Sequence, residues 1–241
     1  MKIKKFIPII FAFPYTVLWI GGIVTYAILP KITQDASWAP PTFLILSACV
    51  VIAASNRREA FLYLFAGMVG FVFEEIGVHT GFPFGSYQYL DTVKPSLAGV
   101  PLPMISAWIV LPAFVVQLFI DQKIGKLKKI FLNALSLTFI DFLIDPVAIG
   151  PMKFWHWQNT GIYYGIPLIN FIGWFIISLI IFTILGNVSR KNSWHLHMGF
   201  SLVLFFTAIA VSKMMVIPTI IGIVVSLMYL VIFTLFKKSN D

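Results

Sequence analysis

Charge is what this chain has least of. Only 11% of its 241 residues are charged and nine are acidic, whereas a soluble globular domain carries roughly 25% charged residues. No polar stretch between the apolar segments is long enough to fold as a soluble domain. We therefore predict a single integral membrane domain over residues 1–241. Cys49 is the only cysteine, which excludes an intrachain disulfide and a cysteine-based metal cluster.

Several common catalytic motifs are also missing. The chain has no phosphate-binding glycine loop, no serine-nucleophile elbow and no zinc-protease helix. Its four histidines are too few and too scattered for a membrane di-iron site. We interpret His195 and His197 as part of a solvated loop end. Neither a metal nor another cofactor is expected.

The apolar residues, 59% of the chain, fall into eight segments. A helix needs about 20 mostly apolar residues to cross the hydrocarbon core. The segments are about 6–29, 40–54, 60–78, 100–120, 130–149, 166–186, 197–213 and 215–236. The second and seventh are the weakest candidates, because one is short and the other ends near Lys213. The predicted fold class is all-α, a polytopic transmembrane helix bundle.

The distribution of basic residues favours this helix count and one orientation. If the N-terminus is cytoplasmic, the inner segments hold thirteen of the seventeen Lys and Arg residues, as the positive-inside rule requires. The inner residues are Lys2, Lys4, Lys5, Arg57, Arg58, Lys123, Lys126, Lys128, Lys129, Arg190, Lys191, Lys237 and Lys238, and the outer ones are Lys31, Lys94, Lys153 and Lys213. We predict both termini in the cytoplasm of a prokaryotic cell, with the chain in its cytoplasmic membrane.

The net charge of +8 also comes from basic residues in the loops between membrane helices. The basic residues form short clusters between apolar segments rather than one continuous face, so no nucleic-acid partner is expected. The first cluster, at residues 2–5, resembles the start of a signal peptide. The apolar segment after it is too long and lacks a small-x-small cleavage site, so we expect a retained helix.

Glu74 and Glu75 fall inside the third predicted helix. An ionised carboxylate facing lipid would be costly, so a carboxylate here should face the bundle interior. Glu74 follows Tyr63, Gly67 and Gly70 at helical spacing, on one face whose small residues allow close helix packing. Glu75 lies about 100° away, so Glu74 is the stronger candidate.

Asp141 and Asp145 fall inside the fifth predicted helix, one turn apart and on the same face as Thr138. The predicted topology places Asp145 and Glu74 near the outer surface, with Asp141 one turn deeper. Three carboxyl groups from two helices can thus meet near one depth. The structural alternative is that these buried acids only hydrogen-bond neighbouring helices or the loops that follow.

Two long outer loops, about 79–99 and 150–165, are rich in glycine, proline and aromatic residues. Trp and Tyr collect at membrane interfaces, which accounts for some of them, such as Trp19 and Trp38. The interleaved Gly and Pro indicate ordered turns instead, and hence a shaped, aromatic pocket that suits a polyene or a cationic intermediate. Our candidate substrate-binding residues are His79, Phe84, Tyr87, Tyr89, Trp108, Trp155, Trp157, Tyr163, Tyr164, Asn170 and Trp174.

Over about residues 60–175 the chain resembles the membrane-bound carotenoid biosynthesis protein family. The similar motifs are Glu74-x-Ile76-Gly77, Thr80-Gly81-Phe82-Pro83-Phe84-Gly85-x-Tyr87-x-Tyr89, Gly99-Val100-Pro101 with Ala107-Trp108, Asp141-x-x-x-Asp145-Pro146, Trp155-x-Trp157, Tyr163-Tyr164-Gly165-x-Pro167, Asn170-Phe171 and Gly173-Trp174. The family includes carotenoid hydratases. The resemblance implies a membrane enzyme, a hydrophobic polyene or isoprenoid substrate within the lipid bilayer, and other carotenoid enzymes as candidate partners.

We hypothesise acid-catalysed hydration of the terminal C=C bond of an acyclic carotenoid, which needs no cofactor. A carboxylic acid must then stay protonated, and burial beside a second carboxylate favours that form. Asp141, the deepest acid, is our candidate proton donor, and Asp145 or Glu74 would orient and deprotonate water. Aromatic rings would stabilise the tertiary cation.

Two alternatives stay open. A carotenoid end-group cyclase begins with a similar protonation but excludes water. A proton-coupled transporter or a lipid-binding membrane protein can also carry acids within its helices.

The predicted orientation can be checked with a reporter fused after residue 90. We expect the reporter outside the cytoplasm, because eight crossings put that loop on the outer side. A cytoplasmic reporter would contradict this orientation.

Overall fold

A computed structural model describes the backbone of residues 3–29 and 36–238 and the side chains of residues 7–29 and 36–235. Within these ranges the chain forms eight α-helices and four short strands, which confirms the predicted all-α helix bundle. The helices are α1 Ile3–Ile23, α2 Ala39–Ala54, α3 Arg57–Thr80, α4 Met104–Leu118, α5 Lys126–Ile149, α6 Leu168–Ile184, α7 Ser193–Ser212 and α8 Val216–Lys238. The strands are β1 Tyr87–Tyr89, β2 Ser96–Leu97, β3 Val100–Pro101 and β4 Trp155–Trp157.

Two helices continue in other helical forms. A π-helix, Val24–Ile28, follows α1, and a 3₁₀-helix, Leu185–Asn187, follows α6. The residues used to predict orientation lie partly outside the described residues: Lys2 and Lys31, and the side chains of Lys4, Lys5, Lys237 and Lys238. The orientation of the termini therefore stays a prediction.

Among the described residues, six helices are long and apolar enough to cross a membrane. They are α1 with its π-helix, α3, α5, α6 with its 3₁₀-helix, α7 and α8. This makes the chain a multi-pass membrane protein. The weak prediction for the seventh helix is confirmed, while α2 and α4 are the shorter ones.

Helix α4 is the centre of the bundle. It is apolar on all sides and every residue but Ile105 and Ala107 is buried, as expected of a helix enclosed by others. Its 15 residues span only about 22 Å, less than the hydrocarbon core. It begins at Met104 rather than near residue 100, because Val100–Pro101 belongs to β3 and Pro103 is the N-cap.

Two glycines let α3 approach α4. A Cβ atom on Gly67 would lie 2.8 Å from Ile109, and one on Gly70 would lie 2.2 Å from the Trp108 ring. Tyr63, Gly67, Gly70 and Glu74 are all buried, which confirms that they form the inward face of α3. Glu75 is half-buried.

The two long loops are ordered by strand pairing. β1 pairs with β4 in antiparallel register, with Tyr87 opposite Trp157 and Tyr89 opposite Trp155. We call this pair the β1–β4 ribbon. β2 and β3 form a separate hairpin whose two turn residues, Ala98 and Gly99, both have positive φ, as a type I′ turn requires.

An ion pair joins the connections at the opposite end of the bundle. Arg190 makes three hydrogen bonds of 2.6–3.1 Å to the Glu59 carboxylate and one of 2.9 Å to the Ala54 carbonyl. His195 is fully buried nearby, with Nε2 3.0 Å from the Ser55 hydroxyl.

The interpretation of His195 as part of a solvated loop end is wrong. Asn192 accepts a hydrogen bond from the Trp194 amide and thereby caps α7, which begins at Ser193 instead of near residue 197. His195 lies in the first turn of this helix and points into the bundle. His197 is exposed, but it too belongs to the helix.

Gly70→Ala should destabilise the protein. The added Cβ would overlap the Trp108 ring, and overpacking of this kind costs about 1–3 kcal/mol, or about 2–12 °C in melting temperature for a chain of this size. Thermal unfolding in detergent measures the effect. Gly21→Ala is the control, since no atom of the described residues lies within 4 Å of the Cβ that it adds. Equal melting temperatures for the two variants would contradict the close α3–α4 packing.

Candidate active site

The Glu74 carboxyl group accepts hydrogen bonds from three side chains. The Tyr89 hydroxyl donates to Oε2 at 2.9 Å, and the Tyr87 hydroxyl donates to the same oxygen. Trp108 Nε1 donates to Oε1 at 3.2 Å. Glu74 is only 4% exposed, so these donors replace the water that a surface carboxylate would have.

Both tyrosines are suited to this role. Burial, followed by the nearby Glu74 carboxylate, raises the pKa of Tyr87 and of Tyr89 well above the ordinary value for a phenol. Their hydroxyl groups therefore keep their protons and remain hydrogen-bond donors at neutral pH.

Asp141 and Asp145 form a carboxyl pair on α5. They are 1% and 2% exposed. Asn170 on α6 bridges the pair, since its Nδ2 donates to Asp141 Oδ2 at 3.2 Å and to Asp145 Oδ2 at 2.5 Å.

A buried cavity of about 40 Å³ joins the two acidic groups. Glu74, Asp145 and Asn170 are its polar walls. Asp141 lies behind Asp145 and does not line the cavity. The convergence of three carboxyls from two helices is thus confirmed, but only two of them face the open space.

The β1–β4 ribbon covers this cavity with aromatic rings. Successive side chains of a strand point to opposite faces. Tyr87 and Tyr89 therefore face inward with Trp155 and Trp157, while His156 and Gln88 are exposed.

Further rings complete the enclosure. Trp157 Nε1 donates to the Phe84 carbonyl at 3.0 Å, and Phe84 also lines the cavity. On the α4 and α6 side, Trp174 stacks on Trp108, with ring centroids 4.3 Å apart. The cavity is thus aromatic on two sides.

Most of the predicted substrate-binding residues come together here. The cavity is lined by Phe84, Tyr87, Tyr89, Trp155, Trp157, Asn170 and Trp174, and Trp108 contacts Glu74 from behind. Three predicted residues lie elsewhere: His79 and Tyr164 are exposed, and the Tyr163 hydroxyl donates to the Phe142 carbonyl at 2.7 Å. Tyr163 thus attaches the second loop to α5.

The apolar side of the cavity was not predicted from the sequence. Met104, Ala107 and Leu111 of α4 and Ile144 of α5 line it. Nothing distinguishes these residues from the other apolar residues of their helices. The only indirect signal is that Ile144 and Ala107 are sequence neighbours of the predicted site residues Asp145 and Trp108.

Tyr89→Phe should lower the free energy of unfolding by about 1–3 kcal/mol, because it removes a hydrogen bond to a buried carboxylate. Thermal unfolding of the purified protein measures this loss. Tyr164→Phe is a matched control, since Tyr164 is an exposed tyrosine of the second loop, where changes usually stay within about 0.5 kcal/mol. An unchanged free energy of unfolding for Tyr89→Phe would show that the hydrogen bond from Tyr89 to Glu74 does not stabilise the fold.

Comparison with known proteins identifies the family to which the chain belongs. Residues 41–235 match the model of the carotenoid biosynthesis protein family, and this range includes every residue that lines the cavity. A relative from Haloarcula japonica, named bisanhydrobacterioruberin hydratase, is 27% identical over 170 residues, covering 65% of this chain and 57% of that protein. No solved structure matches the chain. The protein belongs to the carotenoid biosynthesis protein family.

Proposed function

We propose that this protein is a carotenoid hydratase, which adds water to the terminal C=C bond of an acyclic carotenoid and forms a tertiary alcohol. One observation carries the proposal: Glu74 and Asp145, two carboxyls from different helices, face one small aromatic cavity, and Asp145 shares the Asn170 amide with a third carboxyl, Asp141. Hydration requires such a division between an acid and a base. The name of the Haloarcula japonica relative supports the same reaction.

Asp145 is the proposed proton donor. The sequence alone favours Asp141 because it is deeper, but the cavity is lined by Asp145, and a general acid must reach the atom that it protonates. The O–H bond of Asp145 breaks and a C–H bond forms at the less substituted alkene carbon. The two π electrons make this bond, and the more substituted carbon becomes a tertiary cation. Asn170 Nδ2, which donates a hydrogen bond to Asp145 Oδ2, stabilises the carboxylate that is left.

The surrounding rings suit the cation. Trp155, Trp157 and Trp174 line the cavity, and the faces of indole rings attract positive charge. The apolar side chains of α4 and α5 give the methyl groups of an isoprenoid end a matching surface.

Glu74 is the proposed base. As water attacks the cation, one of its protons passes to Glu74 and a C–O bond forms. Transfer of this proton to Asp145, which lines the same cavity, restores both groups. The reaction is redox-neutral.

Water has a nearby source. A cleft of about 380 Å³ lies at the outer side of the ribbon, with Gln88, Asp91 and Gln158 among its polar walls. Tyr87 and Tyr89 line both this cleft and the buried cavity. A water molecule that moves between the two would pass the tyrosine hydroxyls and arrive at Glu74.

The cavity sets a limit on how the substrate binds. At about 40 Å³ it holds a few water molecules at most. Only the end of a carotenoid would enter, displacing water, while the remaining polyene stays in the lipid bilayer. This mode fits a multi-pass protein of a prokaryotic cytoplasmic membrane.

An end-group cyclase would use the same first step, and aromatic walls suit its cation equally well. The polar cleft beside Tyr87 and Tyr89 favours hydration, because a cyclase has to exclude water. The two products differ in mass, since hydration adds one water and cyclisation adds nothing.

Asp145→Asn should abolish the hydrated product in a lycopene-producing host, with a loss of at least about 100-fold, as for removal of a general acid. Asp141→Asn should reduce the yield without abolishing it, because Asp145 still faces the cavity. Product mass and quantity are measured by chromatography and mass spectrometry, at matched levels of membrane protein.

Glu75→Gln is the control, since Glu75 neighbours Glu74 in sequence but does not line the cavity. It should retain most of the activity, whereas Glu74→Gln should not. Wild-type yield from Asp145→Asn would refute the assignment of the donor. If the wild-type protein forms a product with the same mass as the substrate, the activity is that of a cyclase and not of a hydratase.

A further inference from the structure

A second cavity lies at the end of the bundle opposite the ribbon. It has a volume of about 240 Å³ and lies between the C-terminal ends of α4 and α6 and the N-terminal end of α5. Lys126, Lys129 and Asn133 of α5 line it. They occur at positions i, i+3 and i+7, which places them on one face of the helix.

The mouth of this cavity is positively charged. Lys126 is exposed and Lys129 half-buried, and Lys129 has one long hydrogen bond of 3.5 Å, to the Ile120 carbonyl. Asp121, the acidic residue nearest in sequence, is paired with Lys191 at 2.6 Å. The N-terminus of α5 has no side-chain cap, so its free N–H groups add to the positive potential.

Asn133 brings a buried polar group to the inner part of the cavity. Its side chain is 95% buried, and Oδ1 has no hydrogen-bond partner among the described residues. Asn133 lies four residues beyond Lys129, about 6 Å further along the helix. A buried oxygen without a donor is costly, and a ligand hydroxyl group at this depth would satisfy it.

The remaining walls are apolar. The apolar residues that face the cavity include Val116 of α4, Ile120 just after it, Ile130 of α5, and Phe182 and Leu185. A ligand that matches all of these features has a phosphate at the mouth, a hydroxyl group further in, and an apolar part beside both.

We infer that this cavity binds an anionic phospholipid of the membrane, with its phosphate at Lys126 and Lys129 and a headgroup hydroxyl at Asn133. Basic pockets between membrane helices bind anionic headgroups in this way. The inference is independent of the proposed hydratase activity, since the cavity lies at the opposite end of the bundle from Glu74 and Asp145.

A purely structural role of the lysines makes a different prediction. Lys129 donates to the Ile120 carbonyl just after α4, and Lys126 lies close to Gly186 after α6. If the two lysines only neutralised the partial negative charge at these helix C-termini, they would stabilise the fold. The protein would then show no preference among lipids.

The test is native mass spectrometry of the detergent-purified protein with phosphatidylglycerol, phosphatidic acid, phosphatidylcholine or inorganic phosphate. Lys126→Ala with Lys129→Ala should weaken phosphatidylglycerol binding about thirtyfold, the effect of two lysines near an anionic group. Lys123→Ala with Lys128→Ala removes the same charge from exposed positions outside the cavity and should change binding less than about threefold.

Asn133→Leu provides the second readout. It should remove the preference for phosphatidylglycerol over phosphatidic acid, whose headgroup lacks the glycerol hydroxyls, while phosphatidic acid binding stays. Lys126→Gln, a single change at an exposed residue, replaces the double variant if that variant does not fold. Two results would overturn the inference. One is an equal loss of phosphatidylglycerol binding in the two double-lysine variants, and the other is phosphatidylcholine binding as strong as that of phosphatidylglycerol. Binding of inorganic phosphate as strong as that of the lipid would assign the site to free phosphate instead.

Discussion

The structure depends on one constraint: a carboxyl group inside an apolar bundle must find its hydrogen-bond partners within the protein. For Glu74 these partners are two tyrosines of the β1–β4 ribbon and the indole of the central helix α4. For the aspartate pair the partner is the Asn170 amide of α6, which donates to both carboxyls. These hydrogen bonds tie together α3, α4, α5, α6 and both long loops, and they leave an aromatic cavity between the acid pair and the single acid. Close α3–α4 packing at Gly70 brings Trp108 within reach of Glu74.

Much of the fold was predictable because membrane helices follow from length and hydropathy. All eight predicted segments correspond to helices. The errors occur at helix starts, where the local chemistry competes with the apolar pattern. At α7, Asn192 caps the helix, which begins four residues before the predicted start at residue 197, and this brings His195 into the core. At α4, the apolar residues Val100 and Pro101 join a hairpin instead. Caps and turns of this kind act over a few residues, so composition over a 20-residue window does not detect them.

The acids of the site were predictable for a different reason. Charged residues are so rare in these helices that helical periodicity alone distinguishes Glu74 from Glu75 and joins Asp141 to Asp145. The ribbon was not predicted, although Tyr-Gln-Tyr and Trp-His-Trp both alternate with the period of a strand. Three residues are too few to identify a strand, and the pairing of one loop with the other depends on the tertiary fold. For the same reason the sequence could not decide which aspartate faces the cavity.

The central claim is that protein carboxyls protonate an alkene and that water then completes the reaction. Incubating membranes that contain the protein with an acyclic carotenoid in D₂O tests it most directly. The account predicts a hydrated product with one carbon-bound deuterium, on the carbon next to the tertiary carbinol carbon, because exchangeable carboxyl protons supply it. A hydrated product without carbon-bound deuterium, or with deuterium elsewhere in the chain, would contradict the account.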